Sequence, residues 1–283
     1  MSAPGFTLVL IAAFCHATWN YSVKRINAGP ELIWLFSALS VLIYLPLAIY
    51  FGSKAVLLDG MRLGVIAVSA ALHLGYFLLL QIGYRKGDLS LVYPTARATG
   101  PILAAGFAVA FLKETLTPQI AVGGMIIVFG VLMLTCGGKA AAGTVTSLVF
   151  GIGAGLLIGS YTAWDAHAVS ALAIPPLLLD YASSIGRSVL LAPQAYRRRS
   201  LVRDIWGTYR LWVLLIAVFN PLAYILVLVA LTFTPVVYVA PVRELSVLLS
   251  VLMGSLLLKE GHLRHRLFWS AVILVGVVVL AGG

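Results

Sequence analysis

The 283-residue chain is 61% hydrophobic and only 10% charged, with a mean hydropathy of +1.05. Soluble domains carry far more charge, so this composition excludes a soluble fold and places most of the chain in lipid. The net charge of +10 does not mark a nucleic-acid binder, because the Lys and Arg residues concentrate in short connections beside apolar runs, where membrane topology selects them.

Ten apolar stretches follow one another, near residues 5–23, 32–51, 63–84, 89–112, 117–137, 145–166, 175–195, 211–231, 235–258 and 266–282. Each suits the roughly 20 residues that a hydrocarbon core of about 30 Å requires. The reading is an all-α membrane protein of ten transmembrane helices. Pro46, Pro94, Pro101 and Pro241 lie inside these stretches and predict kinks rather than breaks, since neighbouring helices can satisfy the freed backbone groups. Cys15 and Cys136 fall in or beside apolar runs and read as buried thiols rather than a disulfide framework.

Span 1 lacks a basic n-region and a clear cleavage site, and reads as a retained helix rather than a signal peptide. It contains FCHATWNYSVKR. His16 and Asn20 share a face, with Trp19 beside them. Such a stripe either faces a polar cavity or holds the bundle together by interhelical hydrogen bonds. Span 3 places His73 and Tyr76 on one face, and span 4 offers Tyr93 and Arg97 one turn apart between Pro94 and Pro101.

In span 5, Gly123, Gly130 and Gly137 recur every seven residues; in span 6, Gly151, Gly155 and Gly159 form GxxxGxxxG. Both are packing stripes that let another helix approach. Further along span 6, Tyr161, Trp164 and Asp165 fall to one side by their spacing. Asp165 is either a functional carboxylate, carrying a proton or meeting a substrate cation, or an interface anchor at the helix end.

Span 7 carries Asp180, Ser184 and Arg187, whose charges need partners on neighbouring helices. The longest polar connection, about 196–210, is too short to fold alone. Its Arg197, Arg198, Arg199 and Arg203 read as a cytoplasmic anchor or a lipid-headgroup site. Span 8 adds Asn220 and Tyr224; span 9 adds Tyr238, Pro241, Arg243 and Glu244. An arginine near midspan can grip a carboxylate or phosphate, or pair with an acid of the protein.

Enzymatic motifs are missing: there is no HExxH, GxSxG, Walker sequence or Cys/His cluster, and His16, His73 and His167 are too scattered to define a metal site. Neither an enzyme nor a cofactor is expected. Without an ATP motif, active transport would be secondary.

The chain repeats itself. VYPTARATGPILAAGFAVAFLKE at 92–114 is echoed by YVAPVRELSVLLSVLMGSLLLKE at 238–260, with Arg97 and Arg243 each sixteen residues before a Lys-Glu pair. Trp19-Asn20 corresponds to Trp164-Asp165 at almost the same offset. Two five-span repeats, 1–137 and 145–283, follow. An odd number of spans inverts the second repeat across the membrane, a plan that places substrate near the midplane between halves.

HATWNYSVKR, the long phrase SLVYPTARATGPILAAGFAVAFLKETLTPQIAVGGMIIVFGVLML and its second copy ending LLLKE resemble the ten-span EamA-type family of the drug/metabolite transporter superfamily over nearly the whole chain. The resemblance implies a bacterial inner-membrane protein with two inverted five-helix repeats and a central cavity, in a family whose members export amino acids, metabolites or drugs and in some cases take up compounds such as choline. It implies cytoplasmic termini, whereas counting Lys and Arg in alternate loops puts both termini outside.

The resulting expectation is alternating-access transport of a small organic solute within the lipid bilayer. Its substrate-site residues are His16, Trp19, Asn20, His73, Tyr76, Tyr93, Arg97, Tyr161, Trp164, Asp165, Tyr224, Tyr238 and Arg243. Asp165, His16 and Glu244 are candidates for proton coupling. The rivals are a lipid-linked carrier or flippase, and a non-transporting receptor or partner subunit.

Overall fold

The computed structural model describes residues 1–26, 28–54, 59–86, 89–135, 144–249, 253 and 263–281. These form α1 (Ala3–Ile26), α2 (Pro30–Lys54), α3 (Gly60–Lys86), α4 (Leu89–Phe111), α5 (Pro118–Thr135), α6 (Thr144–Ser170), α7 (Pro176–Arg197), α8 (Arg199–Leu231), α9 (Val236–Val242) and α10 (Leu263–Ala281), with no strand among the described residues. Five of the helices are long and apolar enough to cross a bilayer, and α4, α5 and α10 contribute shorter apolar stretches. Large apolar side chains point outward along them, among them Leu42, Ile49, Phe111 and Val189. Water would make so much exposed apolar surface costly, whereas lipid does not.

Helix starts follow local chemistry. Asp59 caps α3 by accepting the N–H of Arg62 at 2.8 Å. Thr117 Oγ1 accepts the N–H of Ile120 at 3.2 Å, with Pro118 opening α5. Pro221 interrupts α8 without breaking it. The carbonyl of Ala217, one turn back and deprived of its N–H donor, accepts the Ser40 hydroxyl at 2.8 Å. Tyr44 donates to the neighbouring Val218 carbonyl at 2.7 Å.

Two expectations are corrected. Residues 199–210 are helical rather than a polar loop: α8 begins at Arg199 and bends at Tyr209, where φ is −124° and ψ 22°. Ile205 is buried against Leu35 and Phe36 of α2, which gives this segment an apolar anchor. Arg198, read as part of a basic anchor, ion-pairs at 3.2 Å with Glu31, a buried acid at the start of α2. The ninth span is broken rather than kinked. Helix α9 stops at Val242, Arg243 and Glu244 form a turn, and helix resumes at 245–249. Glu244 and Ser246 donate their N–H groups to carbonyls three residues back, Pro241 and Arg243, each at 3.0 Å. That tight winding beside Pro241 replaces the four-residue ladder.

The helices of the two halves pair in a symmetric pattern. Helix α2 packs on α7, α4 on α9 and α5 on α10, while α1–α8 mirrors α3–α6. The glycine stripes mark the closest approaches. A Cβ on Gly151 would lie 2.6 Å from Thr95, one on Gly155 would collide with Thr99, and one on Gly159 would lie 2.7 Å from Leu103, so this stripe receives α4. Gly123 and Gly130 stand equally close to Leu280 and Ile273 of α10, while Gly137 lies outside the described residues.

The Lys-Glu landmark of the first half has a defined task. Glu114 accepts the N–H groups of Val236 and Val237 at 2.9 and 3.0 Å, capping α9 from the other half. Lys113 beside it has φ 60°. Glu114→Ala removes both acceptors and is expected to lower stability by about 1 kcal/mol, as loss of a helix cap does. A fall in the melting temperature of the detergent-solubilised protein would register it; an unchanged value would refute the capping role. The counterpart Glu260 lies outside the described residues.

Candidate functional site

A buried polar cluster joins the two halves. Helix α6 carries Tyr161 and Asp165 four residues apart, hence on one face. Asp165 is fully buried. Its Oδ2 lies 3.0 Å from Nε2 of His73 on α3 and accepts the Tyr224 hydroxyl of α8 at 2.6 Å. The His73 ring stacks on Tyr161, with centroids 4.0 Å apart and planes at 25°. Tyr224 and Tyr76 meet these rings edge-on. Asp165 Oδ1 has no hydrogen-bond partner among the described residues. Asp180 and Arg187 of α7 complete the electrostatic surroundings: Asp180 acts on both His73 and Asp165.

The second element is the arginine pair. Arg97 on α4 is buried; its Nη2 lies 3.0 Å from Glu244 Oε2 and donates to Ser246 Oγ at 3.2 Å. Arg243 is equally buried, with 7% of its surface exposed, yet its Nε and Nη2 have no hydrogen-bond partner among the described residues. Electrostatic interactions reach from both Arg97 and Arg243 to His16 and Tyr161, and from Arg243 to Tyr224.

The profile of the EamA-like transporter family matches this chain twice, over residues 3–136 and 145–282. The chain belongs to the EamA-like transporter family. It is therefore an integral membrane protein of a family of transporters, with a small-molecule substrate and lipid as its surroundings. One solved structure similar to this EamA-like transporter, described only as "Crystal structure of protein", has a TM-score of 0.74 over 99% of this chain and 96% of its own. At 13% identity it shows the fold alone. No curated protein shows significant similarity.

The remaining candidate residues of this EamA-like transporter are dispersed. The Trp19 indole N–H donates to His16 Nδ1 at 3.2 Å, and Trp19 packs against the α2–α8 core rather than the cluster. Asn20 is half-buried. Trp164, expected on the side of Asp165, is 37% exposed and donates to the Val65 carbonyl at 3.0 Å. One residue of offset turns it about 100° from Asp165. Tyr238 packs on the main apolar core, and the side chain of Tyr93 lies outside the described residues.

Sequence reasoning passed over Ser246, which sits three residues beyond Arg243 and serves Arg97. No local pattern marks it, since its partner is 149 residues away. An open cleft of about 480 Å³ lies elsewhere, between the ends of α4 and α6 and the α8–α9 turn, where Glu114, His167 and Ser170 line it.

Proposed function

We propose that this protein is a secondary transporter, an exporter of small organic solutes such as amino acids, metabolites or amine drugs, working by alternating access in the bacterial inner membrane. Ten transmembrane helices form two inverted five-helix repeats, 1–137 and 145–283, and the solute binds between them. The observation that carries this reading is the composition of the buried cluster. His73 comes from the first half; Tyr161, Asp165 and Tyr224 come from the second. A rocking motion of one half against the other changes the environment of Asp165, the coupling that proton-driven exchange requires.

His73 Nε2 and Asp165 Oδ2 lie 3.0 Å apart, within hydrogen-bond reach, so a proton or a substrate ammonium can be exchanged there while the hydroxyl of Tyr224 holds the carboxylate in place. Tyr161 and Tyr76 supply aromatic walls that suit a cation.

The test uses the full chain in proteoliposomes with a panel of amino acids and amines. Uptake of at least one of them, accelerated by an imposed pH gradient and slowed again by a protonophore, is the expected result. A folded protein that moves none of them, with or without the gradient, would refute the reading.

A further inference from the structure

The repeat exposes a missing charge. Arg97 and Arg243 occupy equivalent positions, but the residue after each differs: Glu244 follows Arg243, whereas Ala98 follows Arg97. Glu244 reaches from the α9 break to Arg97 on α4 at 3.0 Å. Symmetry would send a carboxylate from position 98 to Arg243, and Ala98 cannot supply one. Arg97 is neutralised internally. Among the described residues Arg243 makes no ion pair, although Glu244 lies within its electrostatic reach, because that carboxylate sits on Arg97.

Among the described residues, Arg243 Nε and Nη2 have no hydrogen-bond partner. These two nitrogens form one edge of the guanidinium and point their N–H groups in parallel, the arrangement that grips both oxygens of a carboxylate. A buried charge with unfilled donors is costly in the empty protein. A ligand anion removes that cost.

We infer that Arg243 is the receptor for a carboxylate of the transported solute, and that Arg97, ion-paired with Glu244 at 3.0 Å, is its internally paired counterpart and serves structure. The assignment rests on the transport reading above and sharpens it: the solute bears a carboxylate, and an ammonium group on the same molecule would meet Asp165.

The test pairs L-amino acids with their decarboxylated amines and adds succinate and inorganic phosphate. Transport is measured in proteoliposomes and thermal stabilisation in detergent. Wild type is expected to carry and be stabilised by carboxylate-bearing probes and not by the matching amines. Arg243→Gln loses the two-point contact and lowers both readouts about 30-fold. Ala98→Glu supplies the missing internal acid, fills the receptor and abolishes carboxylate binding with no fall in melting temperature.

Where Ala98→Glu does not fold, Arg243→Lys carries the test: it keeps the charge, loses the fork and binds carboxylates about tenfold more weakly. Amines carried as well as acids, phosphate carried in place of carboxylates, or an Arg243→Gln variant with unchanged amino-acid transport would each overturn the assignment while leaving transport intact. Stabilisation by carboxylates that depends on Arg243, without transport of any probe, would keep the receptor and remove the transport reading. If no probe is carried and none stabilises the protein, both fall.

Discussion

Asp165→Asn is expected to abolish the response of transport to a pH gradient, lowering gradient-driven uptake about 100-fold, while the protein folds and still exchanges solute across vesicles held at one pH. The reasoning is geometric. Asn keeps the size of Asp165 and an oxygen that accepts the Tyr224 hydroxyl, now 2.6 Å away. It cannot take up a proton, and His73 Nε2 lies 3.0 Å from the same oxygen.

The loss is large because an amide cannot carry a proton, so the gradient-driven part of uptake disappears while exchange at one pH remains. The groups that face this site are His73, Tyr161 and Tyr224, with Asp180 and Arg243 acting at longer range. His73→Gln, which leaves the carboxylate in place, should shift the pH profile rather than erase it. Initial rates measured with and without the gradient decide the matter. If the Asn variant is stimulated as strongly as wild type, Asp165 is not the coupling site.

Gly155→Leu is expected to abolish recovery of folded protein. Helices α4 and α6 meet face to face along Gly151, Gly155 and Gly159. Even a methyl group on Gly155 would overlap the Thr99 hydroxyl and come within 2.8 Å of Thr99 Cβ. A leucine must force the helices apart. Overpacking alone costs about 1–3 kcal/mol, and separating α4 from α6 also withdraws Arg97 from Glu244 and shifts Asp165. The variant should elute as aggregate on size exclusion in detergent.

Gly64→Ala is the matched control, because nothing lies within 4 Å of a Cβ at Gly64. It should be neutral, or more stable by up to about 1 kcal/mol through reduced backbone entropy in the unfolded chain. A Gly155→Leu protein that is monodisperse and melts like wild type would show that the seam is loose.

The composition and the duplicated phrase carried the membrane class, the family and the two-repeat plan, because the hydrophobic demand of lipid is written residue by residue along each helix. The glycine stripes were legible for the same reason: a helix face repeats at a spacing that the sequence displays. The four-residue spacing also put Tyr161 and Asp165 on one face.

What no spacing could reveal was which distant helices would meet that face. Asp165 finds His73 and Tyr224 at separations of 92 and 59 residues. Arg97 and Arg243 look alike in sequence, and only the packing of α4 on the broken α9 gives Glu244 to one and leaves Nε and Nη2 of the other without a hydrogen-bond partner among the described residues. Local sequence sets which groups are buried. Long-range helix packing decides how they are paired, because a charge in a low-dielectric interior is governed by whatever the fold brings within about 3 Å of it.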